Sequence, residues 1–171
     1  PRTSSAASDV YKRQDIEYRI NRSGAKLAIV TEEHMEKVNS IRNNCPSLTH
    51  LITISGSTAD GWVCMEDSCR NASSDFERSK VAPNKSTDPM LIYFTSGTTS
   101  MPKMVERDHA YALAHTITQK YWMTLRETDT HWTLTDTGWA KAAWGLLFPP
   151  LIAGSTIMLF DSDGFLSLIH I

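Results

Sequence analysis

Lys26-Leu-Ala-Ile-Val-Thr31 runs into Glu32-Glu-His-Met-Glu-Lys-Val-Asn-Ser-Ile41, then Pro46, then Leu48-Thr-His-Leu-Ile-Thr-Ile54. The first run is short and apolar and reads as a buried strand. Thr31 is placed to cap a helix whose first turns hold Glu32, Glu33 and Glu36, where the helix dipole favours anions. Met35, Val38 and Ile41 recur at a spacing of three and give that helix one apolar face. Pro46 ends it, and Leu48–Ile54 offers a second strand. Strand, helix and strand within about 30 residues make a βαβ unit, so a parallel sheet is expected.

Outward from this unit the pattern stays α/β. Asp15–Arg22, with Ile16 and Ile20, reads as a helix end. Ser55–Gly61 is a loop, Trp62–Arg70 a short helix, and the polar stretch Asn71–Asp88, which holds Pro83, a surface connection. Met90–Phe94 is a third strand, and Met104–Glu106 a short one. Asp108 is placed to cap a helix running to about Met123, with Ala110, Leu113, Ala114 and Ile117 on one face. Tyr111, Tyr121 and Trp122, at helical spacing on the same segment, are expected in the core. His131–Thr135 and Ser155–Phe160 are further strands, and Lys141–Phe148 is helical up to a stop at Pro149-Pro150. The expected class is α/β, a parallel or mixed sheet with flanking helices.

Composition narrows the function. The chain has 171 residues, 41% apolar and 21% charged, which is globular and fits one domain. No run of about 18 apolar residues is present, so no transmembrane helix is expected. A formal charge of −2 gives no reason to expect nucleic acid or an anionic membrane as partner. Cys45, Cys64 and Cys69 show neither C-x-x-C nor zinc spacing, and reduced thiols are expected. No metal site is expected from His or Cys; His109, His115 and His131 lack a pattern for metal or triad chemistry.

The two ends read differently. Asp9-Val-Tyr-Lys-Arg-Gln14 can be encoded GAT GTG TAT AAG AGA CAG, and Leu166-Ser-Leu-Ile-His-Ile171 can be encoded CTG TCT CTT ATA CAC ATC. These strings are reverse complements over their whole length, as a cloning adapter joined to both ends of one insert would be. Residues 1–14 and 166–171 are therefore expected to be adapter-derived tails, leaving 15–165 as part of a larger domain.

The chemistry concentrates in Thr95-Ser-Gly-Thr-Thr-Ser-Met-Pro-Lys103. Hydroxyls of Thr95, Ser96, Thr98 and Thr99, with backbone N–H groups on a tight turn, are ready donors to phosphate oxygens. Gly97 lets the backbone come close. Lys103 adds a point charge suited to a polyphosphate, and Pro102 stiffens the exit. The same composition also suits a polar surface turn. The loop is not G-x-x-x-x-G-K-[ST], and no G-x-G-x-x-G is present, so a P-loop kinase or a dinucleotide enzyme is not supported.

Tyr93-Phe-Thr-Ser-Gly-Thr-Thr-Ser-Met-Pro-Lys-Met104 closely resembles the nucleotide loop of the ATP-dependent AMP-binding superfamily, the acyl-adenylate-forming enzymes. Asp136-Thr-Gly-Trp-Ala-Lys-Ala-Ala-Trp-Gly145 looks like the acyl-pocket segment of its acyl-CoA synthetases. With Lys103-Met-Val-Glu106 and Cys45-Pro-Ser-Leu48, the wording is most similar to the medium-chain branch. Ser100 stands where that family usually has glycine, and Arg107 where it has histidine. The resemblance implies a ligase that joins a medium-chain fatty acid to CoA through an acyl-adenylate, with ATP and Mg²⁺. It implies Thr95, Ser96, Gly97, Thr98, Thr99, Ser100, Met101, Pro102 and Lys103 as phosphate-binding residues and Lys103 as the catalytic one. Trp139 and Gly138 would line the acyl pocket, although core packing also accounts for Trp139, and Asp136 is equally a turn residue. By the family pattern the adenine, ribose and C-terminal lysine motifs would lie beyond residue 165, and the compartment would be the mitochondrial matrix. The other readings are a different adenylate former, acting on acetyl or aryl acids, and a truncated product that catalyses nothing.

Overall fold

A computed structural model describes residues 12–56, 58–59, 61–95, 101–135 and 139–160. The chain divides into two compact units, Pro1–Asp108 and His109–Ile171.

The first unit opens with helix α1 (Arg13–Ser23), which ends on Gly24 at φ 65° with the Gly24 N–H bonded to the Ile20 carbonyl. Strands β1 (Leu27–Val30) and β2 (His50–Thr53) then pair in parallel, Leu27 opposite His50 and Val30 opposite Thr53. The expected βαβ unit is present. Its helix is broken into a 3₁₀ turn at Glu32–His34, helix α2 (Met35–Asn39) and a second turn at Arg42–Asn44. Thr31 makes no cap bond, because its hydroxyl donates to the Glu33 carboxylate at 3.1 Å instead. Met35, Val38 and Ile41 are all buried, as their spacing requires.

Trp62–Cys64 is a strand, β3, and not the start of a helix; α3 begins only at Met65 and runs to Asn71. β3 lies parallel to β2, giving the order β1-β2-β3. A parallel neighbour ordinarily needs a crossover of about a dozen residues, and only residues 54–61 separate these two strands, so no sequence signal announced it. Trp62 and Cys64 turn inward and Val63 outward. The inner face packs Leu51 and Trp62 on Met35 and Val38, with Ala28, Val30 and Leu48 around them. The Trp62 indole N–H reaches the Asn39 side-chain oxygen at 3.0 Å. A second cluster joins Ile20, Ile41 and Cys45. Contrary to expectation, β1 is not buried on both faces. Leu27, Ile29 (52% exposed) and Val63 leave an apolar outer face open to solvent.

After an exposed connection, β4 (Pro89–Thr95) and β5 (Lys103–Asp108) form an antiparallel hairpin separate from the parallel sheet. The third strand expected at residues 90–94 is present as β4. Only seven positions separate Thr95 from Lys103, too few for the crossover that a parallel partner would need.

In the second unit, α4 (Ala110–Thr118) continues as a π-helical turn, Gln119–Met123. Asp108 does not cap it, because Asp108 belongs to β5 and His109 precedes the helix. The expected inward face is also displaced. Leu113 (69%) and Ile117 are exposed, as are Tyr121 (72%) and Trp122. The helix instead turns Tyr111 and His115 toward Phe148, with ring centroids 6.0 and 6.1 Å away. Phe148 opens helix α5 (Phe148–Ala153), which follows a π-helical turn at Ala142–Leu147. Pro149-Pro150 therefore begins a helix and does not end one. The N–H groups of a first turn lack intrahelical partners anyway, and proline loses nothing there. β6 (Thr130–His131) and β7 (Thr156–Ile157) pair in parallel and are shorter than the runs that suggested them.

Candidate functional site: the β4–β5 loop

Thr95 and Lys103 are partners on the last rung of the hairpin. The two ends of the Ser/Thr/Gly segment are thus held side by side by a regular ladder. Both end residues are exposed, and neither side chain has a partner among the described residues. A free hydroxyl and a free ammonium at one loop mouth can meet an anion without first breaking an internal bond. Met101 is half exposed and Pro102 half-buried. Ser96, Gly97, Thr98, Thr99 and Ser100 lie outside the described residues.

The loop base is braced by α1. The Tyr18 hydroxyl donates to the Pro102 carbonyl at 3.0 Å. Its ring meets Phe94 of β4 edge-on, centroids 6.3 Å apart at 68°. The Arg19 guanidinium lies 4.9 Å over the same Phe94 ring. An aromatic pair of this kind contributes about 0.5–1.5 kcal/mol beyond burial, and a solvent-accessible cation–π contact about 0.5–1. Sequence reasoning missed both residues. Tyr18 and Pro102 are 84 positions apart, and no periodicity within a helix reports a contact at that range.

The residues expected to line an acyl pocket belong to the second unit. Trp139 is 49% exposed and its carbonyl accepts the Ala142 N–H at 2.9 Å, so it sits at the mouth of a helical segment and not in its core. Asp136 and Gly138 lie outside the described residues. Trp144 faces Trp122 with centroids 6.0 Å apart. Gly145 is buried, and its carbonyl accepts from Thr133 Oγ1 at 3.0 Å and lies 2.9 Å from His131 Nε2. His131 thus ties the strand end to the helical segment, a structural role. Burial lowers the His115 pKa and so favours its neutral ring between Tyr111 and Phe148. Cys45 and Cys64 are buried free thiols and Cys69 an exposed one; burial first, then Glu17, pushes the Cys45 thiol up. Among the described residues no group of three or more His, Cys, Asp or Glu converges as a metal cage. No helix there is long and apolar enough to cross a membrane.

Fold and hairpin together define an α/β protein in which strands β4 and β5 flank a Ser/Thr/Gly sequence that ends on a lysine. The chain belongs to the AMP-binding enzyme family, whose model matches residues 3–170. Among curated relatives, mouse mitochondrial acyl-coenzyme A synthetase ACSM4 is 37% identical over 160 residues, 90% of this chain and 27% of that protein. Human mitochondrial acyl-coenzyme A synthetase ACSM5 is 39% identical over 149 residues, 86% of this chain and 25% of that protein. The chain thus spans about a quarter of the length of these relatives. Among solved structures, the anthranilate CoA ligase AuaEII in complex with anthranoyl-AMP superposes with a TM-score of 0.80 at 26% identity. That match covers 90% of this chain and 29% of the ligase. The Brucella canis acyl-CoA synthetase shares the fold with a TM-score of 0.73 at 24% identity, over 86% of this chain and 26% of its own.

Proposed function

We propose that this chain supplies the phosphate-holding wall of an ATP-dependent acid:CoA ligase whose substrate is a medium-chain fatty acid. The observation that carries the proposal is the β4–β5 hairpin, which closes Thr95-Ser-Gly-Thr-Thr-Ser-Met-Pro-Lys103 with an exposed hydroxyl at one end and an exposed ammonium at the other. Membership of the AMP-binding enzyme family and likeness to acyl-CoA synthetases support the reaction class.

In that reaction a carboxylate oxygen forms a bond to the α-phosphorus of ATP while the bond to the β-phosphate oxygen breaks. Pyrophosphate leaves. The CoA thiol, losing its proton, then attacks the acyl carbonyl and AMP leaves. The nucleophiles are the two substrates, so the protein's part is to position groups and stabilise charge. Thr95 to Thr99 would donate hydrogen bonds to the β- and γ-phosphates. Lys103 would hold the charge that grows on the leaving pyrophosphate, which requires no proton transfer from it. Mg²⁺ brought with ATP would neutralise phosphate charge, and the described residues supply no carboxylate cage of their own for it. Trp139 and Gly138 would wall the acyl pocket. The names of the relatives support a mitochondrial location, and the matrix follows as part of this reading.

The test is octanoate-driven exchange of labelled pyrophosphate into ATP by the full-length protein. Exchange with C4–C12 acids is expected, and its absence with all of them would sink the proposal. The likeness to an anthranilate CoA ligase favours one second reading, an aryl acid as substrate. Benzoate and anthranilate belong in the same assay, and a preference for them over octanoate decides for it.

A further inference from the structure

The Tyr18 hydroxyl binds the one backbone polar group that Pro102 offers, its carbonyl, at 3.0 Å. That carbonyl and the Lys103 N–H belong to a single planar peptide group. Holding the Pro102 oxygen therefore sets the plane from which the Lys103 side chain departs. Proline's fixed φ restrains the other side of the same joint. Beyond it, Lys103 enters the ladder opposite Thr95. The Tyr18 ring is seated independently, edge-on to Phe94 at 6.3 Å, so the hydroxyl has little freedom to look elsewhere.

We propose that Tyr18 is a positioning residue for Lys103, aligning its ammonium for the phosphates of ATP. The inference rests on the ligase reading given above. It separates packing from positioning in one substitution, because Tyr18→Phe keeps the ring on Phe94 and removes only the bond to Pro102.

In the full-length protein, Tyr18→Phe is expected to raise KM for ATP in pyrophosphate exchange about three- to tenfold, the factor carried by one neutral hydrogen bond. KM for the carboxylic acid should stay unchanged, and Tm should fall by no more than a few degrees, the effect of one hydrogen bond. Because the effect passes through Lys103, Tyr18→Phe added to Lys103→Ala should cause no further rise. An unchanged KM for ATP, with or without a lower Tm, overturns the inference. So does an additive double variant. If the wild-type protein exchanges no pyrophosphate with any acid, it is the ligase reading that fails, and hydrogen exchange then decides the contact. The peptide Met101–Val105 should exchange faster in Tyr18→Phe than in wild type, and equal exchange overturns the positioning role.

Discussion

Lys103 stands at the first position of β5, exposed and free of carboxylate partners among the described residues. A hydrogen bond from a charged donor contributes about 1.5–3 kcal/mol. Lys103→Ala is therefore expected to weaken ATP use about 10- to 150-fold, seen as a rise in KM for ATP in pyrophosphate exchange. The fold should survive, because the side chain is exposed. A variant with the wild-type KM would show that Lys103 is only a polar strand end. Residue identity made this lysine conspicuous, since a lysine closing a Ser/Thr/Gly run is chemistry that spacing can express. The bond between Tyr18 and Pro102 was illegible for the opposite reason, being a property of two segments and written in neither.

At the scale of elements, α1 matters because it carries Tyr18 and Arg19, and its end is set by Gly24. The left-handed φ of 65° suits glycine, and an added Cβ there would meet no atom within 4 Å. Gly24→Ala should thus cost about 1–2 kcal/mol from backbone strain alone, read as a lower Tm. Gly24→Asn should recover part of it, since asparagine tolerates this region. Equal melting of all three would mean that the helix can end elsewhere. Which elements were legible follows from length. The β1–α2–β2 unit offered several turns of period and came out where expected, with shifted ends. β3 offers only Trp62, Val63 and Cys64, a single alternation, and read as helix because charged α3 follows at once. α4 was found as a helix but with the wrong face inward. Leu113 and Ile117 are more apolar than Tyr111 and His115, yet the rings win because Phe148 is there to meet them. Hydropathy ranks side chains, whereas burial depends on what the opposite element presents. Of the candidate site, Thr95 and Lys103 stood out by residue type, whereas their pairing across the hairpin did not.

For the molecule as a whole, the apolar surface is the main consequence of the arrangement. Leu27, Ile29 and Val63 line one open sheet face, and Leu113, Ile117, Tyr121 and Trp122 are exposed along α4 and its continuation. Contiguous apolar patches of this kind promote association. The 171-residue chain expressed by itself is expected to bind a hydrophobic dye strongly, to scatter light at micromolar concentration and to form no acyl-CoA. A soluble monomer with low dye binding and measurable turnover would contradict this. The hairpin is the exception to that dependence on distant surface. Its strands and loop span about twenty residues, Pro89–Asp108, so bringing Thr95 to Lys103 costs little loop-closure entropy. Hairpins of this kind close within about 1–10 μs, whereas β1 must wait for a crossover before β2 can join it. During synthesis, then, Thr95 and Lys103 sample each other's company as soon as Asp108 clears the ribosome, long before the rest of the chain can pack.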